Sequence, residues 1–225
     1  VIHWDGSSSY PNVINNTTGN TRIHDIVIEG NAAAQNLNAF TGIRTTTLSY
    51  IYRVGIRNIK ISNSNAANAY GIVASGVNSV NIYNCFIDNI SAVATGTKAA
   101  SASGINTAVS GSSWPVYNCT IINITASNYG YGINGTSLVA RSCLVDAQTT
   151  SLNSVSTSSN FNAITTGSKV GANDIIVTLL NEIKGTTAGS ANCTLKYGAS
   201  CIDNATNSGS PYDIDIKRYT RTGYW

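Results

Sequence analysis

The sequence predicts an all-β fold, a parallel β-helix of short stacked strands, and three observations predict it. A seven-residue pattern recurs five times, at residues 24–30, 57–63, 83–89, 117–123 and 141–147. Its third position holds Ile26, Ile59, Cys85, Cys119 and Cys143, and its fifth holds Ile28, Ile61, Ile87, Ile121 and Val145. Apolar residues two apart give a strand one buried face. A second element precedes four of the five copies: Thr41-Gly42-Ile43, Tyr70-Gly71-Ile72, Ser103-Gly104-Ile105 and Tyr131-Gly132-Ile133. The seventh position of the main pattern holds Gly30, Asn63, Asn89, Asn123 and Ala147. Gly and Asn enter the left-handed conformation of a tight bend at low cost, so each copy reads as strand, bend, strand. Ala147 departs from that rule, and the fifth copy is expected to bend differently.

Each element follows from this frame. Consecutive third positions lie 33, 26, 34 and 24 residues apart, a variable period around a constant core, as loops of unequal length on a stacked coil produce. Like strands of successive coils then pair in parallel about 4.8 Å apart. Ile26, Ile59, Cys85, Cys119 and Cys143 are expected one above another in an interior ladder. Residues 1–21, with Trp4, Asp5 and Pro11, read as an irregular first coil. Residues 151–160 read as a polar loop, and Ala163-Ile164 with Asp174-Ile175-Ile176-Val177 as a degraded sixth coil. The repeat domain is expected to span residues 1–180. Residues 181–225, where the pattern stops, are expected to cap the open end, which otherwise presents unpaired backbone groups.

Composition narrows the function. Only 10% of the 225 residues are charged, the net charge is +3, and Lys217, Arg218 and Arg221 are the densest basic group, so nucleic acid is not an expected partner. No apolar stretch approaches the length of a membrane-spanning helix. Scarce charge with abundant Ser, Thr and Asn points to an exported, extracellular or cell-surface protein. The start at Val1 and the lack of any Met predict a processed or partial chain. Cys85, Cys119 and Cys143 read as a packed thiol ladder, because buried Cys behaves as a small hydrophobe. Cys193 and Cys201, eight apart around Lys196-Tyr197-Gly198, are a candidate disulfide in an exported chain.

The coil pattern Asn-Cys-x-Ile-x-Asn at 84–89 and 118–123 resembles the right-handed parallel β-helix proteins of the pectin-lyase-like superfamily, in their bacterial secreted form. The C-terminal segment is similar to theirs as well. Ala199-Ser200-Cys201-Ile202-Asp203-Asn204 resembles S-P-C-I-D-A-G, Asp213-Ile214-Asp215-Ile216-Lys217-Arg218 resembles D-x-D-G-x-x-R, and Gly223-Tyr224 sits where that family leads into D-I-G-A-Y-E. The resemblance implies a right-handed coil and export. It leaves function open, because the fold carries lyases, hydrolases, adhesins and structural proteins.

No catalytic constellation accompanies the resemblance. The paired carboxylates of an inverting hydrolase are not found, there is no Asp-Asp pair among ten acidic residues, and both His lie before any acidic cluster. Glu29, Asp88 and Asp146 share the sixth position but are interrupted by Ser62 and Ile122, and they read as solvated surface. Arg53, Arg57 and Lys60 read as solubilising charges. No cofactor is expected. Asp203, Asp213 and Asp215 are a candidate Ca²⁺ set, with a role in ordering the tail preferred. Tyr83 and Tyr117 share the first position and are candidate contacts to carbohydrate or to a partner subunit. The expected function is a non-catalytic structural protein, an adhesin or filament subunit that self-associates into fibres. The alternatives are a polysaccharide lyase or hydrolase and a carbohydrate-binding fibre module.

Overall fold

The computed structural model describes residues 1–4, 12–31, 33–76, 80–107, 114–136, 138–190, 192–196 and 199. The chain visits three parallel sheets in fixed rotation. β1 (Ile2–His3), β2 (Asn12–Asn16) and β3 (Thr21–His24) each begin a different sheet, and β4 (Val27–Glu29), β5 (Ala39–Thr45) and β6 (Ser49–Tyr52) add a strand to each in turn. The rotation repeats with β7 (Gly55–Asn63), β8 (Ala67–Ala74) and β9 (Val80–Tyr83), then β10 (Phe86–Ala94), β11 (Ala100–Thr107) and β12 (Trp114–Tyr117), then β13 (Thr120–Ala126), β14 (Tyr129–Asn134) and β15 (Leu138–Arg141). β16 (Leu144–Ala147) and β17 (Thr150–Asn153) follow, and then only the first sheet gains strands, β18 (Ala163–Ile164) and β19 (Ile175–Ile176). Among the described residues these sheets have eight, six and five strands. A short helix α1 (Leu179–Glu182) and an antiparallel pair, β20 (Ile183–Gly185) with β21 (Asn192–Leu195), end the described chain.

Register runs unbroken through most rungs, so like side chains stack in columns. In the first sheet Ile28, Ile56, Ile87, Ile121, Val145 and Ile164 form one column, all fully buried. The second sheet stacks Ile43, Ile72, Ile105, Ile133 and Leu152. The third stacks Ile23, Ile51, Ile82, Val116 and Ala140. These columns meet in one core, and burying each Ile or Leu contributes about 2–3 kcal/mol. Ile2 and Ile176 continue the first column at its two ends and are exposed, at 39% and 60%.

The Gly-Ile element follows from rung spacing. A Cβ on Gly42, Gly71 or Gly104 would lie 2.5–2.8 Å from the carbonyl oxygen of Gly71, Gly104 or Gly132 on the next rung. Only glycine lets those backbones approach, and the Ile beside it fills the core.

Two expectations are corrected here. Ile59 does not share the column of the cysteines. β7 pairs Gly55 with Val27 and with Phe86, which puts Val54 in that column, while Ile59 pairs with Ile90 and Ile61 with Ala92. Chain hydrogen bonds trace the column as Ile26, Val54, Cys85, Cys119, Cys143, Asn162 and Asp174. The second copy of the repeat is therefore residues 52–58, not 57–63. The slip has a physical source: residues 54–63 carry two inward pairs, Val54/Ile56 and Ile59/Ile61, on either side of a bend at Asn58 (φ 59°). Either pair satisfies a two-residue apolar rule. Ile26, at the edge of the column, is only half-buried.

The second correction concerns the degraded coil. Ala163-Ile164 and Ile175-Ile176 are two successive rungs rather than one. Along the column the intervals are 28, 31, 34, 24, 19 and 12 residues, so the rungs shorten toward the C-terminal end. Twelve residues are too few for strands in all three sheets.

Candidate functional site

The left-handed bends aim the outward side chains. In corrected register the second position holds Asp25, Arg53, Asn84, Asn118, Ser142 and Phe161, and every one has φ between 52° and 60°. Asn58, Asn89 and Asn123, at the seventh position, have φ between 57° and 60°. Each conformation costs an ordinary residue about 1–2 kcal/mol, and Asn is the residue that tolerates it best after Gly. Ala147 meets Ile124 across a register shift, and the Asp146 carboxylate accepts the Asn123 backbone N–H there at 3.0 Å. The fifth copy does bend differently.

Outside the first sheet the sixth position reads Glu29, Arg57, Asp88, Ile122, Asp146 and Thr165. Arg57, not Ser62, stands between Glu29 and Asp88. Its Nε pairs with Glu29, which also accepts Asn58 Nδ2. Asn89 Nδ2 donates to Asn58 Oδ1 at 2.6 Å, and Asn123 Nδ2 donates to Asp88 Oδ1 at 2.8 Å. Thr165 Oγ1 donates to Asp146 Oδ1 at 2.7 Å. Asp88 is fully buried rather than a solvated surface acid. The acidic residues thus form a satisfied polar lattice with the asparagines and Arg57. A similar row on the second sheet runs from Asn153 to Asn134 to Asn106, with both bonds at 2.8 Å.

What buries this lattice is the segment after β19. Ile183 packs on Ile122, Leu144 and Ala163, with Phe86, Ile175, Val177 and Leu179 around it, forming a second apolar cluster outside the first sheet. Beyond it, the Thr186 carbonyl accepts Asn123 Nδ2 at 3.3 Å and the Gly189 carbonyl accepts Asn58 Nδ2 at 3.4 Å. This cover was missed in the sequence. The signal was the apolar residues Phe86, Ile122 and Leu144 at outward positions, which require a cover.

The candidate contacts Tyr83 and Tyr117 are register partners in the third sheet. They belong to a longer stack. His24 lies on Tyr52 with ring centroids 4.7 Å apart, and Tyr52 lies on Tyr83 at 5.0 Å with the planes 1° apart. Arg53 sits over Tyr52 and Arg141 over Tyr117. The ring face that a sugar would need is therefore occupied at Tyr83, which is 5% exposed. Arg53 also grips both oxygens of Asp25 at 2.7 Å, and that hydrogen bond pushes its pKa up. His24 Nδ1 meets Asp25 at 2.8 Å.

Cys85, Cys119 and Cys143 are free thiols buried on successive rungs, each with Sγ against backbone carbonyls. Burial pushes the Cys119 and Cys143 thiols well above the usual range. Beyond Cys143 the column turns polar. Asn162 Oδ1 accepts the Cys143 N–H, and the buried Asp174 carboxylate accepts the N–H groups of Asn162, Val170 and Gly171 together with Asn162 Nδ2, at 2.8–3.1 Å.

Among the described residues no group of three or more His, Cys, Asp or Glu is placed to hold a metal ion, and no helix is long and apolar enough to cross a membrane. Cys193 is carried by β21, whereas Cys201, Asp203, Asp213, Asp215, Lys217, Arg218 and Arg221 lie outside the described residues. No protein-family model matches the chain, and neither the curated proteins nor the solved structures contain a match to it.

Proposed function

We propose that the three sheets wind as a right-handed parallel β-helix and that the protein is a non-catalytic, exported structural element of a cell surface or extracellular matrix. Support for the winding comes from the fixed rotation of strands among three parallel sheets. Its hand follows from the strong bias of parallel crossovers and from the resemblance of the coil pattern. The observation that carries the function is the mutual satisfaction of the outward polar groups. Glu29, Arg57, Asn58, Asn89, Asn123 and Asp88 bond to one another along the sheet rather than converging on a point where a substrate atom would sit. Rows of that kind stiffen a rod. The low charge and the Ser/Thr/Asn-rich surface support export and self-association.

Incubation with acidic polysaccharides tests this reading. No unsaturated or reducing ends are expected, and their appearance at a rate lost in Asp88→Asn would replace it with a lyase or hydrolase. Electron microscopy of the purified chain is expected to show rods that associate. A monodisperse monomer at all concentrations would remove the self-association.

A further inference from the structure

In a stacked fold each rung touches only its neighbours, so stability is close to a sum of nearest-neighbour terms and different stretches open separately. Residues 178–190 and β21 depart from that scheme. The chain leaves β19 at the last rung of the first sheet and turns back across the outer face of that sheet as the β20–β21 hairpin. Its base is anchored by Ile183, fully buried on Ile122, Leu144 and Ala163, which belong to three successive rungs. Its turn reaches rungs formed far earlier: Gly189 accepts a hydrogen bond from Asn58, 131 residues away in sequence, and Thr186 accepts one from Asn123. Gly189 has φ +81°, and a Cβ there would lie 2.0 Å from Asn58 Oδ1 and 2.9 Å from Asn89 Nδ2. A side chain there is strained by the backbone conformation and displaces the Asn58–Asn89 pair.

We infer that residues 178–190, with β21, are a conformational clamp that couples the rungs from β7 to β18 into one cooperative unit. The hairpin bridges rungs that have no contact with one another through the sheet. It lies on an apolar cluster at one end and a row of amide donors at the other, so it holds both or neither. Because the clamp is made after all the rungs, the cooperative unit closes only once the last rung is complete.

Hydrogen exchange of the full chain in rising urea tests this. In the wild type, segments 55–63, 86–94, 120–126 and 144–147 are expected to lose protection at one urea concentration. Gly189→Val removes the contact of the turn and Ile183→Asp the anchor. In either variant the transition is expected to split, with 144–147 and 163–164 exchanging roughly tenfold faster than 55–63 at low urea. Thr187→Ala, exposed in the turn, is expected to behave as wild type. If Ile183→Asp does not fold, Gly189→Val alone decides. A wild type that already opens segment by segment, or a Gly189→Val protein that keeps a single transition, overturns the clamp.

Discussion

At Asn89 two demands coincide. Its backbone sits at φ 60°, and its Nδ2 donates to Asn58 at 2.6 Å. Asn89→Ala loses the hydrogen bond and keeps the strain, which costs about 2–3 kcal/mol together. Asn89→Gly loses only the bond and is expected to cost about 1 kcal/mol. Urea midpoints of the two variants check the separation. Gly71→Ala forces a Cβ to within 2.5 Å of the Gly104 carbonyl and is expected to cost about 1–3 kcal/mol by the same measurement. The thiols set a pH limit. Folded Cys119 and Cys143 resist ionisation because they are buried, whereas unfolded thiols ionise near pH 8.5. The stability they contribute is fully present below that pH and is lost as pH rises above it. Cys119→Ala is expected to cost about 1 kcal/mol at pH 7 and to flatten the loss between pH 8.5 and 10.

At the scale of the element, the strand class and the Gly-Ile register were legible, because both rest on local alternation. The register of β7 was not, since Val54/Ile56 and Ile59/Ile61 present the same spacing and only pairing with β4 and β10 chooses between them. The third sheet was hidden for a different reason. Its strands are four residues long, and each offers one or two inward residues ahead of a terminal His, Tyr or Arg that reads as surface. Those same residues build the aromatic stack. Removing the ring between His24 and Tyr83, as in Tyr52→Ala, is expected to cost about 1–2 kcal/mol and to diminish the near-ultraviolet circular dichroism. The polar lattice was half legible. Glu29 and Asp88 share one repeat position in the sequence, but the ambiguous register of β7 conceals Arg57 between them, and no local rule reveals a hairpin folded over their column.

For the whole molecule, length and period announce a stacked architecture, and the described rungs follow it. The taper is not legible in the sequence. The 19-residue rung keeps β17 of the second sheet but no strand of the third, the 12-residue rung keeps only β18 of the first, and the column that begins with Ile26 and Val54 ends in Asn162 and Asp174, with all four donors on that carboxylate coming from its own loop and from Asn162. A buried carboxylate so fully engaged ties down the narrow end. The narrowing makes the fold directional as a template for growth. A duplicated circuit inserted among the three-stranded rungs before Cys143 finds matching neighbours above and below. One inserted after Asn162 meets a cross-section too small to receive it, so this fold lengthens only ahead of that narrowing.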